Sequence, residues 1–342
     1  MQFAFTEDQL AISQAAREML VDTCTPVDLR KLLERGDPRD DARWRTVQEM
    51  GLVGMLAPED KGGLGMNETD FVGIAEAAGY VALPEPLVEL AGVAVPLLAG
   101  LEDDRGWLER VLNDGATVAV AAPGAPFVAD ADTAGALLLA DGDNIHLITS
   151  NGFALERQQS ADPFRRLFAV DWSPSADTKI GSGWSRSADR GALFAAAELV
   201  GLGQRCIDMA VAYAKDRNQF GKPIGSYQAV KHLLATAQVK IEFARPVVHA
   251  AAAELQIDSV ASRARISHAK IAAAEAADLA ARTAVQVHGA MGITWEVDLH
   301  FFLKRVLALR NAWGTPARHR ARVIERIQVL PTGPDLTFAS VQ

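Results

Sequence analysis

Two short segments of this chain carry residue types and spacings suited to holding a flat, charged ligand. In RNQFGKPIGSYQAV, Arg217 to Val230, a long apolar-periodic stretch runs into a Gly/Pro turn and a new periodic stretch opens near Ser226. Arg217 brings a planar fork of donors that matches a phosphate in parallel hydrogen bonds, Gln219 adds an amide, and Phe220 adds a flat apolar face. A helix that merely ends in arginine is the competing reading. In QVHGAMGIT, Gln286 to Thr294, a helix meets two glycines that let a backbone or a ligand come close. An ordinary helix C-cap has the same pattern.

The surrounding periodicity indicates what positions these segments. Residues 1–113 read as an N-terminal helical domain, with Leu10, Ile12, Ala16 and Leu20 at helical spacing and Thr6, followed by Asp8 and Gln9, as a helix start. The turn-rich PEDKGGLGM, Pro58 to Met66, separates two of these helices. Over 114–187 the pattern changes to the short runs ATVAVAA, GALLLADGD, IHLITS and RLFAVDW, bounded by turn residues, which are the strands of a small sheet. From 188 to 330 long helices return: one through Ala192 to Asn218, one after Ser226 that Pro246 is expected to kink or end, and an alanine-dense one from about Ser262 to His288. Residues 331–342 form a tail, expected to be loose. The fold class is therefore mainly α with a central small β-domain.

Composition excludes several functions. At 342 residues, 49% hydrophobic and 23% charged, the chain is long enough for two or three packed domains. A net charge of -9 leaves no basic excess for a nucleic-acid backbone. The opening MQFAFTEDQL lacks a basic segment ahead of an apolar core, so the expected location is cytoplasmic. Cys24 and Cys206 are far apart, belong to no CxxC or Cys/His cluster and are expected to be small buried apolar residues, with no metal site. The most apolar stretch, VALPEPLVELAGVAVPLLAG, contains Glu85, Glu89 and three prolines, which argues against a membrane span.

Taken in order, FTEDQLAISQAAREML, GLVGMLAPEDKGGLGM, RNQFGKPIGSYQAV and QVHGAMGITWE resemble the acyl-CoA dehydrogenase family over nearly the whole chain. The resemblance implies an N-terminal helical domain, a β-domain and a C-terminal four-helix bundle, pairing into dimers or dimers of dimers. It implies FAD as cofactor and an acyl-CoA as substrate. Arg217, Gln219 and Phe220 would then contact FAD, with the arginine on its pyrophosphate. Gln286, His288 and Gly289 would approach its adenosine side from across a subunit interface, although a structural histidine at a helix end accounts equally for His288.

The chain also departs from that family. The reaction needs a carboxylate within reach of the substrate α-proton. At the usual position, before Gly314 and Thr315, stands Trp313, whose indole accepts no proton; at the alternative position stands Gly191. Asp189 is the nearest carboxylate and reads better as a helix N-terminal charge. The β-domain lacks the Thr-Glu-Pro and Gly-Ser-Asp loop that embraces the flavin ring in the family, while DPFRRLFAV, Asp162 to Val170, resembles the family's later strands. This pattern of loss is similar to the non-catalytic subunit of heterotetrameric acyl-CoA dehydrogenases of bacterial steroid catabolism, which implies a homologous catalytic partner subunit. The competing expectations are a homomeric flavoprotein with an unrecognised base and a flavin-free assembly scaffold.

Overall fold

The computed structural model describes residues 4–37, 39–149, 152–255, 257 and 259–329. The tail expected over 331–342 lies outside the described residues.

The chain enters through α1 (Glu7–Thr23), whose start is a capping box: the Gln9 amide donates to Thr6 Oγ1 at 3.2 Å and the Thr6 amide to Gln9 Oε1 at 3.0 Å. Helices α2 (Pro26–Arg35), α3 (Asp41–Glu49) and α4 (Glu68–Val81) follow. Between α3 and α4 the expected Pro58–Met66 loop holds only one 3-10 turn, Glu59–Lys61. The apolar stretch forms α5 (Leu87–Glu89), a π turn over Leu90–Ala94 and α6 (Val95–Ala99), and α7 (Trp107–Asn113) closes the domain. Among the described residues no helix is long and apolar enough to cross a membrane.

The central domain has more strands than its sequence shows. β1 (Val118–Val120), β3 (Ala136–Asp141), β4 (Asn144–Thr149) and β7 (Lys179–Ser182) form one sheet in the order β1-β3-β4-β7; β2 (Val128–Ala129), β6 (Leu167–Asp171) and β5 (Ala154–Gln158) form a second. β3 is buried at four successive positions because it is covered on both faces. Ala136 and Leu138 join the core shared with the helices, while Leu137 and Leu139 pack with Val128 and Phe168 of the second sheet. β2, β5 and β7 escaped the sequence reading because they are short or half-exposed, and carry no apolar run.

Beyond β7 come α8 (Trp184–Asp216), α9 (Gln228–Glu254), α10 (Val260–His288), α11 (Leu299–Asn311) and α12 (Pro316–Val329). α10 packs against all four others, and its alanine-dense surface permits this. One sequence expectation needs correction. α8 begins at Trp184, ahead of the Ala192 start and of the 188 boundary, because Gly183 turns the chain at φ 101 and Asp143 accepts the Trp184 amide hydrogen bond at 3.3 Å; its polar first turns hid it. α9 runs through Pro246, which does not end it. α4 crosses α8 closely at two glycines: a Cβ on Gly201 would lie 1.9 Å from the Glu76 carbonyl, and one on Gly79 would lie 2.1 Å from the Glu198 carbonyl. Both cysteines are buried, and burial pushes each thiol up to about 12.

Candidate functional site

α8 ends at Arg217, whose amide donates to the Tyr213 carbonyl at 2.9 Å. The chain then makes a small hairpin, β8 (Asn218–Gln219) with β9 (Lys222–Pro223), before α9. Its two turn residues, Phe220 and Gly221, both have positive φ, 52 and 81°, the backbone of a tight two-residue hairpin. Tyr227 braces it by donating to the Gln219 carbonyl at 3.1 Å, with the Lys222 ammonium 4.3 Å above the Tyr227 ring. Arg217, Gln219 and Phe220 are exposed, Phe220 to 92%.

The second segment lies beside the first. The His288 ring stacks on Tyr213 at 4.3 Å, so the ends of α8 and α10 meet within one chain. His288 is buried; its Nδ1 donates to the Ala284 carbonyl at 2.7 Å, and burial holds the imidazole below its ordinary range, hence neutral. Gln286 and Gly289 are exposed on either side of it, and Gly289 turns the chain at φ 64°. Ala290 and Ile293 of this segment are exposed as well, whereas His288 is buried against Tyr213.

Trp313 and Gly191, the two positions at which the resemblance expects a base, meet in space. The Trp313 indole lies directly over Gly191: a Cβ there would come within 2.1 Å of the ring. Trp313 adopts φ 57°, a left-handed conformation uncommon for a bulky residue, and a buried network fixes the turn that carries it. The Trp313 carbonyl can only accept, so His319 Nε2, 3.2 Å away, carries the proton, and His319 Nδ1 accepts from Ser267 Oγ at 3.1 Å. Burial, followed by the charges of Lys270 and Arg322, pushes His319 down to about 4 and keeps it neutral. Lys270 donates to the Leu309 and Arg310 carbonyls at 2.7 and 3.1 Å, closing the C-terminus of α11, and burial pushes this ammonium down to about 7. Asp189, expected as a helix N-terminal charge, lies beyond the first turn of α8 and is a buried partner of Arg322, at 2.7 Å. Ser267, Lys270 and His319 gave no local signal. Thr315 before Pro316 did mark the start of α12 and so placed His319 one turn inside it.

Next to Trp313, at the seam of the β-domain and the helices, lies a cavity of about 390 Å³ lined by Glu89, Arg165, Trp313 and Arg318 together with apolar residues of the β-domain. Buried Arg305 ties this seam by pairing with Asp162 of the sheet domain, and it also donates to the Leu83 carbonyl at 2.9 Å; between α8 and α4, part-buried Arg190 pairs with Glu68 at 2.8 Å. Glu198 is buried nearby and its carboxyl is held above the ordinary carboxylate range, by burial first and by the charge of Glu89 next. Among the described residues no group of three or more His, Cys, Asp or Glu side chains could hold a metal ion.

The family model of the acyl-CoA dehydrogenase C-terminal domain matches residues 183–328, and that of the acyl-CoA dehydrogenase N-terminal domain matches residues 6–101. The chain is similar to Acyl-CoA dehydrogenase IpdE2 of Mycolicibacterium smegmatis, with 32% identity over 321 residues, 93% of this chain and 98% of that protein. Two solved structures share its fold. The ChsE4-ChsE5 complex from Mycobacterium tuberculosis matches with a TM-score of 0.88 and 23% identity, over 97% of this chain and 100% of the matched one. A variant of the Tcur3481-Tcur3483 steroid ACAD matches with a TM-score of 0.82 and 21% identity, over 94% and 98%.

Proposed function

Since this chain belongs to the acyl-CoA dehydrogenase family, we propose that it is the partner subunit of an FAD-dependent acyl-CoA dehydrogenase, contributing half of a cofactor site and no catalytic base. The observation that carries this reading is the contact of Trp313 with Gly191, which fills both base positions with one indole. The complementary support is the hairpin, where Arg217, Gln219 and Phe220 are presented to solvent beside Gln286 and Gly289.

These residues fit FAD by their chemistry. The Arg217 guanidinium matches a pyrophosphate, Gln219 and Gln286 offer amides, Gly289 allows close backbone approach, and Phe220 offers a flat face. FAD, when bound, supplies the oxidant for α,β-desaturation of an acyl-CoA thioester. The work of this chain is to hold and orient it, while proton abstraction falls to a homologous catalytic subunit. Exposed apolar side chains on two helices, Val239 and Phe243 on α9 and Ile324 and Ile327 on α12, supply surface for a heterotetramer. One structural relative is named as a complex, ChsE4-ChsE5, and another, Tcur3481-Tcur3483, as a steroid ACAD, so a steroid-derived acyl-CoA is the substrate class we favour.

The test is flavin content and turnover, measured on this chain alone and after co-expression with a homologue that carries the glutamate and the flavin-ring loop. The expected result is a nearly colourless, inactive chain alone and a yellow, active complex with about two flavins per tetramer. Full flavin loading with turnover by the isolated chain favours a homomeric enzyme. The observation behind that second reading is Glu89, the only carboxylate lining the cavity beside Trp313.

A further inference from the structure

The cavity beside Trp313 has a charge pattern that the half-site reading does not use. Arg165 lines it, and its guanidinium makes no hydrogen bond or ion pair among the described residues; its Nε is buried without a partner. Arg318 lies exposed in the wall of the same cavity, also without an ion pair among the described residues, and Glu89 is the only carboxylate present. Two guanidinium groups against one carboxylate leave the cavity cationic. Apart from Asn311 and Thr315, the rest of its wall is mostly apolar, including Val120, Phe127 and Leu167 as well as the Trp313 indole.

A buried guanidinium nitrogen with no partner is costly in a protein interior, and the ligand that relieves it is an anion presenting two oxygens in a plane. A cavity of about 390 Å³ is large enough for a compact ring system and too apolar for a fully hydrated anion. With an indole over the base position, nothing in the cavity other than Glu89 can take a proton from carbon. We propose that this cavity binds a carboxylate with an apolar alicyclic or aromatic body, its carboxylate on Arg165 and its body against Trp313, and that the ligand is held without being transformed. The proposal does not rest on the flavin half-site: it concerns a different surface and is tested on the chain without flavin.

The probe pair is adamantane-1-carboxylate and the isosteric adamantane-1-carboxamide, titrated calorimetrically into the full chain. The carboxylate is expected to bind about tenfold more tightly than the amide, the ratio that one charge-assisted fork contributes. Arg165→Gln should abolish the preference and Arg165→Lys should keep part of it, because lysine retains the charge but not the fork. Glu89→Gln should tighten carboxylate binding several-fold by removing a like charge, and this variant keeps the test decisive if Arg165→Gln fails to fold. Equal affinity of the two probes, absence of binding by either, or a preference that survives Arg165→Gln in a folded protein overturns the proposal.

Discussion

Two aromatic residues of this chain share an uncommon backbone conformation and have opposite surroundings. Phe220, at φ 52°, is 92% exposed at the tip of a hairpin; Trp313, at φ 57°, lies against Gly191 and is fixed by a buried histidine. A bulky side chain in the left-handed region carries a strain of about 1–2 kcal/mol. At Trp313, packing and the Ser267–His319 hydrogen bonds offset that strain inside the chain. At Phe220 the hairpin turn sets the backbone, yet no contact uses the ring. One region is finished by its own chain, and the other has its recognition groups turned outward.

The most direct way to break this comparison is to remove the indole. Trp313→Ala should destabilise the chain by about 2–4 kcal/mol, somewhat less than a fully buried tryptophan because the ring is half-buried. Gly191→Ala alone should cost about 1–3 kcal/mol by overpacking, and clearly less in a Trp313→Ala background, where the space is free. Denaturant unfolding of the two single variants and the double variant measures the coupling. Additive effects would mean that the two residues do not share one space.

The outward region should respond in the reverse way. Arg217→Ala should leave stability of the chain within about 0.5 kcal/mol, since the side chain is exposed and, among the described residues, no hydrogen bond or ion pair holds the guanidinium. In the assembled complex it should weaken FAD retention by about 1.5–3 kcal/mol, with Arg217→Lys restoring only part. A stability loss in the free chain comparable to that of Trp313→Ala would erase the contrast, and unchanged flavin occupancy would remove Arg217 from the half-site.

The smallest effect concerns pH. His319 falls from its ordinary value of 6.5 to about 4, so in the window between them the unfolded chain takes up a proton that the folded chain refuses. Stability is therefore lost as pH falls from about 6.5 towards 4, and the His319 contribution to this loss is complete below that. His319→Gln, followed by thermal unfolding against pH, should flatten the slope in this window. Burial pushes His300 down as well, so the difference between the two proteins is the informative quantity and not the absolute slope. Identical slopes would mean that His319 is not what fixes the Trp313 turn against acid.

The sequence by itself determined much of this protein. Helical spacing gave the α-rich ends, short apolar runs gave the principal strands of the sheets, and Thr6 with Gln9 gave the first cap, because each of these depends on residues within a turn or two of one another. The motifs around Arg217 and Gln286 were legible for the same reason: they are residue identities at fixed local positions. Only the tertiary structure decided that Gly191 and Trp313 occupy one space, that Asp189 belongs to Arg322, that His288 is buried against Tyr213, and that Arg165 borders a cavity with its Nε unpaired. Each of these joins elements far apart in the chain, and no local period encodes such a meeting. Close packing of whole helices and sheets settles it, since a side chain at one helix end reaches its partner only after the elements between them have found their places.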